Sequence, residues 1–147
     1  MIKVDEFLKA LYKDYVKGQL IVQCDGSYIK DNIGYISYIA IKENYVIDGE
    51  VKKIQCNSHM EAELYAIYFA FLKYGKEAKY QTDNEVIYKQ LKGEYKINEL
   101  KKLLPIYVKL KGINIEWIPR GGNMADVLIR KPTLIKLIGG VKNGKTQ

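Results

Sequence analysis

The chain has 147 residues, 48% of them hydrophobic and 28% charged, with a formal net charge of +7. That length suits one domain with its own core, and no run approaches the roughly 18 apolar residues of a membrane span. Cys24 and Cys56 are the only cysteines and lack CxxC spacing, so free thiols in a reducing compartment are expected, not a zinc centre or a disulfide. Residues 1–6 include acids where a secretory signal would have its apolar segment, so the expected location is cytoplasmic. The positive surplus fits a polyanionic partner.

Residues 3–16 read as an amphipathic helix, with Val4, Phe7, Leu8, Leu11 and Tyr15 on one face. This segment, within residues 1–18, is expected to pack on or beside the domain; docking to a protein partner is the alternative. Three antiparallel strands follow, at about 20–25, 33–41 and 45–55, with turns at Asp31-Asn32 and Glu43-Asn44. Ser58 is a fair N-cap for a helix over 58–74, with Glu61 completing a capping box. Met60, Glu63, Leu64, Ile67, Ala70, Phe71 and Tyr74 make its core stripe, while Glu61 falls off that stripe and is expected in solvent.

A short strand over 78–83, a helix over 84–91 and a helix over 98–111 come next, the last kinked or split at Pro105. A strand spans 113–118, a loop 119–122, and a final helix starts at Asn123 with Asp126 in its first turn. The order predicts an α/β fold: a five-stranded mixed sheet with helices on both faces, filling 19–131. No acid follows Asp126, so 132–147 is a basic tail, either solvated or contacting phosphates.

Four acids stand in places that ask for explanation. Asp25 and Asp83 end apolar strands, Glu63 lies on a core stripe, and Asp126 opens a helix. The simplest arrangement sets the first and fourth strands side by side, which brings Asp25 to Asp83 if the two run parallel. Four carboxylates cannot share one place at neutral pH without cations. Oxygen-only ligands select hard ions, so Mg²⁺ or Mn²⁺ is expected. Two such ions about 4 Å apart suit in-line displacement at a phosphodiester.

On these residues the chain resembles type 1 ribonuclease H, the enzymes that cut RNA within RNA/DNA hybrids, over about 20–130. Asp25-Gly26-Ser27 resembles the family's first motif, and Ala62-Glu63-Leu64 the helix carrying the catalytic Glu. Thr82-Asp83-Asn84 resembles the third motif, and Ala125-Asp126 the pair that opens the last helix. The resemblance implies a ribonuclease H-like fold and catalysis by Asp25, Glu63, Asp83 and Asp126, which hold two Mg²⁺ (or Mn²⁺) ions. It also implies 5′-phosphate and 3′-hydroxyl products, and hybrid contacts at Gly26, Ser27, His59, Asn84, Arg120 and Asn123. The short link between the helices at 84–91 and 98–111 resembles members that lack the basic handle helix.

The sequence departs from the family in four places. Tyr28 to Asn32 replace a glycine-rich turn. His59 and Met60 stand where two Asn are frequent. The loop 117–122 has no His, and Asn123 precedes Asp126 by three residues rather than four. Gly139 to Thr146 satisfies the G-x-x-x-x-G-K-T pattern of a phosphate-binding loop, but only Gln147 remains to form the required helix. The expected activity is hydrolysis of the RNA strand of a hybrid by a monomer. The alternatives are a nucleic-acid-binding module with little catalysis and, third, a DNA-directed enzyme of the same fold.

Overall fold

The computed structural model of the chain describes residues 3–6, 19–97 and 101–138. Most of the helix expected over 3–16 lies outside the described residues; residues 4–6 are helical and exposed. The glycine-rich pattern at 139–146 also lies outside them. Among the described residues no helix is long and apolar enough to cross a membrane.

Five strands are present: β1 (Ile21–Lys30), β2 (Ile33–Lys42), β3 (Tyr45–Gln55), β4 (Lys79–Thr82) and β5 (Asn114–Trp117). They form one mixed sheet in the order β3-β2-β1-β4-β5. β1, β2 and β3 pair antiparallel, while β4 runs parallel to β1 and β5 parallel to β4. Both hairpins close through two residues of positive φ: Asp31 (53°) with Asn32 (63°), and Glu43 (52°) with Asn44 (69°). Such turns match the right-handed twist of the flanking strands, and Asn and Asp tolerate the left-handed region best.

The alternation of side chains sorts the sheet into two faces. Val22, Cys24, Ile36, Tyr38, Tyr80 and Ile115 share the main core. Helix α1 (His59–Tyr74) covers that face with Leu64, Ala66, Ile67 and Ala70. α2 (Glu85–Leu91) adds Ile87, and α3 (Leu104–Lys109) with its flanks adds Leu103, Tyr107 and Leu110. On the other face, α4 (Met124–Arg130) buries Ala125 and Leu128 against β1 and β2. The 3-10 helix Pro132–Leu137 then packs on β3, so the tail expected at 132 begins as ordered structure.

Helix ends follow local chemistry. Ser58 Oγ accepts from the Glu61 amide at 3.1 Å, and Gly75 at φ 77° closes α1. Removing that cap in Ser58→Ala is expected to lower stability by about 1 kcal/mol, read by urea unfolding. The helix expected over 98–111 is divided, as Pro105 allowed: Lys101–Leu103 is a 3-10 turn and α3 starts at Leu104, with proline in its first turn.

One expectation about the sheet is corrected. β1 does not end at Asp25 but continues to Lys30, because β2 pairs with it across the whole hairpin. β4 stops at Thr82, opposite Cys24. Asp25 is therefore the first β1 residue beyond the end of its parallel neighbour, with an open edge on that side.

Candidate metal centre

Asp25 stands on β1 and is 3% exposed; Glu63, in the first turns of α1, is 4% exposed. Asp83 follows β4 directly in a bend. One potential ligand oxygen from each of these three acids lies within 4.8 Å of the others. The parallel pairing of β1 and β4 brings Asp25 to Asp83. Glu63 arrives because α1 packs unusually close to β1.

That close approach depends on Gly26. A Cβ built there would stand 2.3 Å from the backbone carbon and oxygen of Ala62 and 2.5 Å from the Glu63 nitrogen. The Gly26 amide donates to Glu63 Oε1 at 2.9 Å, so the same glycine orients the carboxylate it admits. On the helix, Ala62 and Ala66 are fully buried, and their small size allows the contact.

Burial, Glu63 and then Asp83 push the Asp25 carboxyl up to about 9. Burial and Glu63 also raise Asp83, against the Asn123 hydrogen bond, which lowers it. Among the described residues Asp25 Oδ1 is buried without a hydrogen-bond partner. An unsatisfied carboxylate oxygen facing two more carboxylates fits a divalent cation: the donors are all oxygen, and a cation would offset both the burial and the repulsion that raise Asp25 and Asp83.

Asp126 falls outside the group of three. It lies in the first turn of α4, as expected, but its Oδ2 accepts from Arg130 Nη2 at 3.1 Å and its Oδ1 is 4.0 Å from Arg120 Nε. These are the only two arginines of the chain, and both border a surface cavity of about 480 Å³ at Asp126. Asp126 is still near enough for its charge to raise both Asp25 and Asp83.

The remaining candidates surround the cluster. Asn123 is 1% exposed and caps α4 through the Ala125 amide at 3.0 Å. Its Nδ2 donates to Cys24 O at 2.9 Å and to Asp83 Oδ2 at 3.2 Å, tying together β1, the bend after β4 and α4. His59 Nε2 is 3.6 Å from Glu63 Oε2, and that carboxylate raises the imidazole pKa. Asn84 caps α2 through the Ile87 amide at 2.9 Å. Arg120 is exposed, and Ser27, next to Gly26 on β1, is half-buried.

Glu61 corrects an expectation. Helix periodicity predicts it in solvent, yet it is 2% exposed, with Oε1 3.4 Å from Lys102 Nζ. Lys102 is folded back over the start of α1, a long-range contact that helix periodicity cannot report. Three further residues had no sequence signal. Gln23 bonds the 119–124 loop, and the Ser37 hydroxyl donates to Ala125 O at 2.5 Å. The Trp117 indole N–H donates to Asp83 O at 3.2 Å.

A five-stranded sheet in this order, with helices on both faces, Asp25 on its central strand and Asp83 just past the parallel neighbour, is a ribonuclease H-like fold. Solved ribonuclease H1 structures share it. The N-terminal ribonuclease H domain of a Mycobacterium tuberculosis protein, solved as a maltose-binding-protein fusion, superposes with TM-score 0.60 at 18% identity, covering 78% of this chain and 96% of that one. Ribonuclease H1 of the halophilic archaeon Halobacterium salinarum gives 0.62 at 21%, covering 76% and 94%. LC11 ribonuclease H1, isolated from compost by a metagenomic approach, gives 0.63 at 22%, covering 77% and 94%; it has also been solved in complex with an RNA/DNA hybrid. No protein-family model and no curated protein matches the sequence. At these identities the likeness establishes the fold.

Proposed function

We propose that the chain is a divalent-metal-dependent endoribonuclease that hydrolyses the RNA strand of RNA/DNA hybrids, leaving 5′-phosphate and 3′-hydroxyl ends. The observation that carries this reading is the convergence of Asp25, Glu63 and Asp83 within 4.8 Å. The fold, shared with an enzyme solved on a hybrid, supplies the substrate class.

In this reading Asp25, Glu63, Asp83 and Asp126 hold two Mg²⁺ or Mn²⁺ ions. When bound, the ions acidify the attacking water and offset charge on the departing 3′ oxygen. The protein supplies the arrangement. Gly26 N–H fixes Glu63, Asn123 Nδ2 fixes Asp83, and the buried β1 strand holds Asp25. Asp126, now paired with Arg130, would hold a cation only once that pair opened, and Arg120 and Arg130 beside it would be placed to meet a phosphate. Ser27, His59, Asn84 and Arg120, which reach the surface, are the candidates for contact with the hybrid; Gly26 and Asn123, expected there too, are buried and act instead by holding Glu63 and Asp83. Selectivity comes from 2′-hydroxyl contacts to one strand and backbone fit to the other.

The Asp126–Arg130 pair favours one second reading, a hybrid-binding module with little catalysis, because it occupies the fourth acid. A labelled hybrid, the matching RNA and DNA duplexes, and Mg²⁺, Mn²⁺ or EDTA separate the two. The enzyme reading expects cutting of the hybrid's RNA strand alone, none in EDTA, and none by Glu63→Gln. Binding of the hybrid without cutting in either metal supports the module; cutting of duplex DNA contradicts both.

A further inference from the structure

We propose that Gln23 is a positioning residue that fixes the loop 119–124, and through it Asp126, against the strand carrying Asp25. This inference rests on the nuclease reading for its catalytic consequence; the anchoring itself does not.

Gln23 lies two residues before Asp25 on the same face of β1 and is 7% exposed. Its carboxamide has three partners. Nε2 donates to Gly122 O and to Gln81 Oε1, each at 2.9 Å, and Oε1 accepts from the Met124 amide at 2.8 Å. The first and last bonds bracket Asn123, so one side chain holds the peptide groups on both sides of the α4 N-cap. Asn123 in turn touches Asp83, and Asp126 lies in the next turn.

The carboxamide is itself held. Gln23, Gln81 and Glu116 are direct neighbours in register across β1, β4 and β5. Gln81 Nε2 donates to Glu116 Oε1 at 2.5 Å, and Glu116 Oε2 pairs with Lys79 Nζ at 3.2 Å. The two loop bonds set the orientation of the Gln23 amide, with the nitrogen towards Gly122 and the oxygen towards Met124, and the ladder bond is compatible with it. A loop otherwise shaped by Gly121 and Gly122 thus gains a rigid attachment to the first acid's strand. Catalytic groups displaced by about 1 Å lose rate steeply, so such an attachment acts on turnover more than on substrate binding.

Three variants test this. Gln23→Met keeps length and volume but loses all three bonds. Gln81→Met removes the ladder bond and leaves both loop bonds. Met124→Pro deletes only the amide that donates to Gln23, at the first helical position, where proline is tolerated, and after Asn123, whose extended backbone (φ −99°, ψ 101°) suits a following proline. Hydrogen exchange at Gly122 and Asn123 in the metal-free protein reads the anchoring without activity. It is expected to speed up about tenfold or more in Gln23→Met and to stay within about twofold of wild type in Gln81→Met. On a hybrid, Gln23→Met and Met124→Pro are expected to lower kcat about 10- to 100-fold with KM within about threefold. Calorimetric Mn²⁺ affinity at Asp25, Glu63 and Asp83 should stay within about threefold. In an Asp126→Asn background, Gln23→Met should add less than about twofold, because the lost step is already missing.

Unchanged exchange in Gln23→Met overturns the proposal. So do equal losses in Gln23→Met and Gln81→Met, which mark general sheet damage, and fully multiplicative effects with Asp126→Asn. If wild type does not cut the hybrid, the nuclease reading falls while the exchange data still judge the anchor. If Gln23→Met does not fold, Met124→Pro carries the same test.

Discussion

Asp25→Asn is expected to abolish the proposed hybrid cleavage and at the same time to stabilise the metal-free protein above neutral pH. The activity loss is expected at about 10³-fold or more, since the change removes a charge that the proposed chemistry needs. The gain in stability has the opposite origin. Burial, Glu63 and Asp83 raise Asp25 to about 9, far above the ordinary range of an aspartate. A carboxyl whose folded pKa is raised keeps its proton in the native state while the unfolded chain releases it. Its favourable contribution is complete below about pH 4, the unfolded value, and is lost as pH rises towards about 9. Asp83 is shifted the same way.

The metal-free wild type is therefore expected to melt higher at pH 6 than at pH 8. Asp25→Asn should flatten that dependence and add about 1–3 kcal/mol at pH 8, discounted from one pKa unit per 1.4 kcal/mol because the site is partly open to water. Scanning calorimetry of both proteins between pH 5 and 9 checks this. Saturating Mg²⁺ should lift the wild type and erase most of its slope while doing little for the variant. Below pH 4 a different loss sets in. Asp48 and Glu116 are lowered by their hydrogen bonds and ion pairs, and their contribution disappears as they take up protons.

Gly26→Ala is the second large effect. Its methyl group meets backbone atoms of Ala62 at 2.3 Å and of Glu63 at 2.5 Å, and backbone cannot rotate away as a side chain can. Either α1 lifts from β1 or β1 bends, and both displace Glu63 from Asp25. Overpacking of this kind is expected to cost about 3 kcal/mol or more, with Mn²⁺ binding lost alongside. Urea unfolding and calorimetric titration check the two parts. A variant as stable as wild type with intact Mn²⁺ affinity would contradict the close-packing account of how Glu63 reaches the site.

Much of this was legible in the sequence because it depends on local chemistry. Asp31-Asn32 and Glu43-Asn44 mark tight hairpins, Ser58 and Asn123 mark helix starts, and alternation in 33–41 marks a strand. A meander leading into β–α units sets the first strand beside the fourth, and the parallel pairing of the two then brings Asp25 to Asp83. What escaped depends on residues distant in sequence. A strand glutamine such as Gln23 looks like any polar strand residue until β4 and β5 place Gln81 and Glu116 in its row. Helix periodicity points Glu61 to solvent; only the fold puts Lys102 over it. β1 runs past Asp25 because Gly26 makes room for a helix inside a continuing strand, a close approach that no local pattern reports. The Asp126–Arg130 pair, at i and i+4, has a spacing that the sequence does show.

Anomalous diffraction from crystals soaked in Mn²⁺ tests the central claim most directly. The account predicts a peak bonded to Asp25 Oδ1 and to oxygens of Glu63 and Asp83, with Asp126 turned from Arg130 towards a second peak when a hybrid is present. Manganese absent from these three carboxylates at millimolar concentration, with Asp25 still buried beside Glu63, would contradict it.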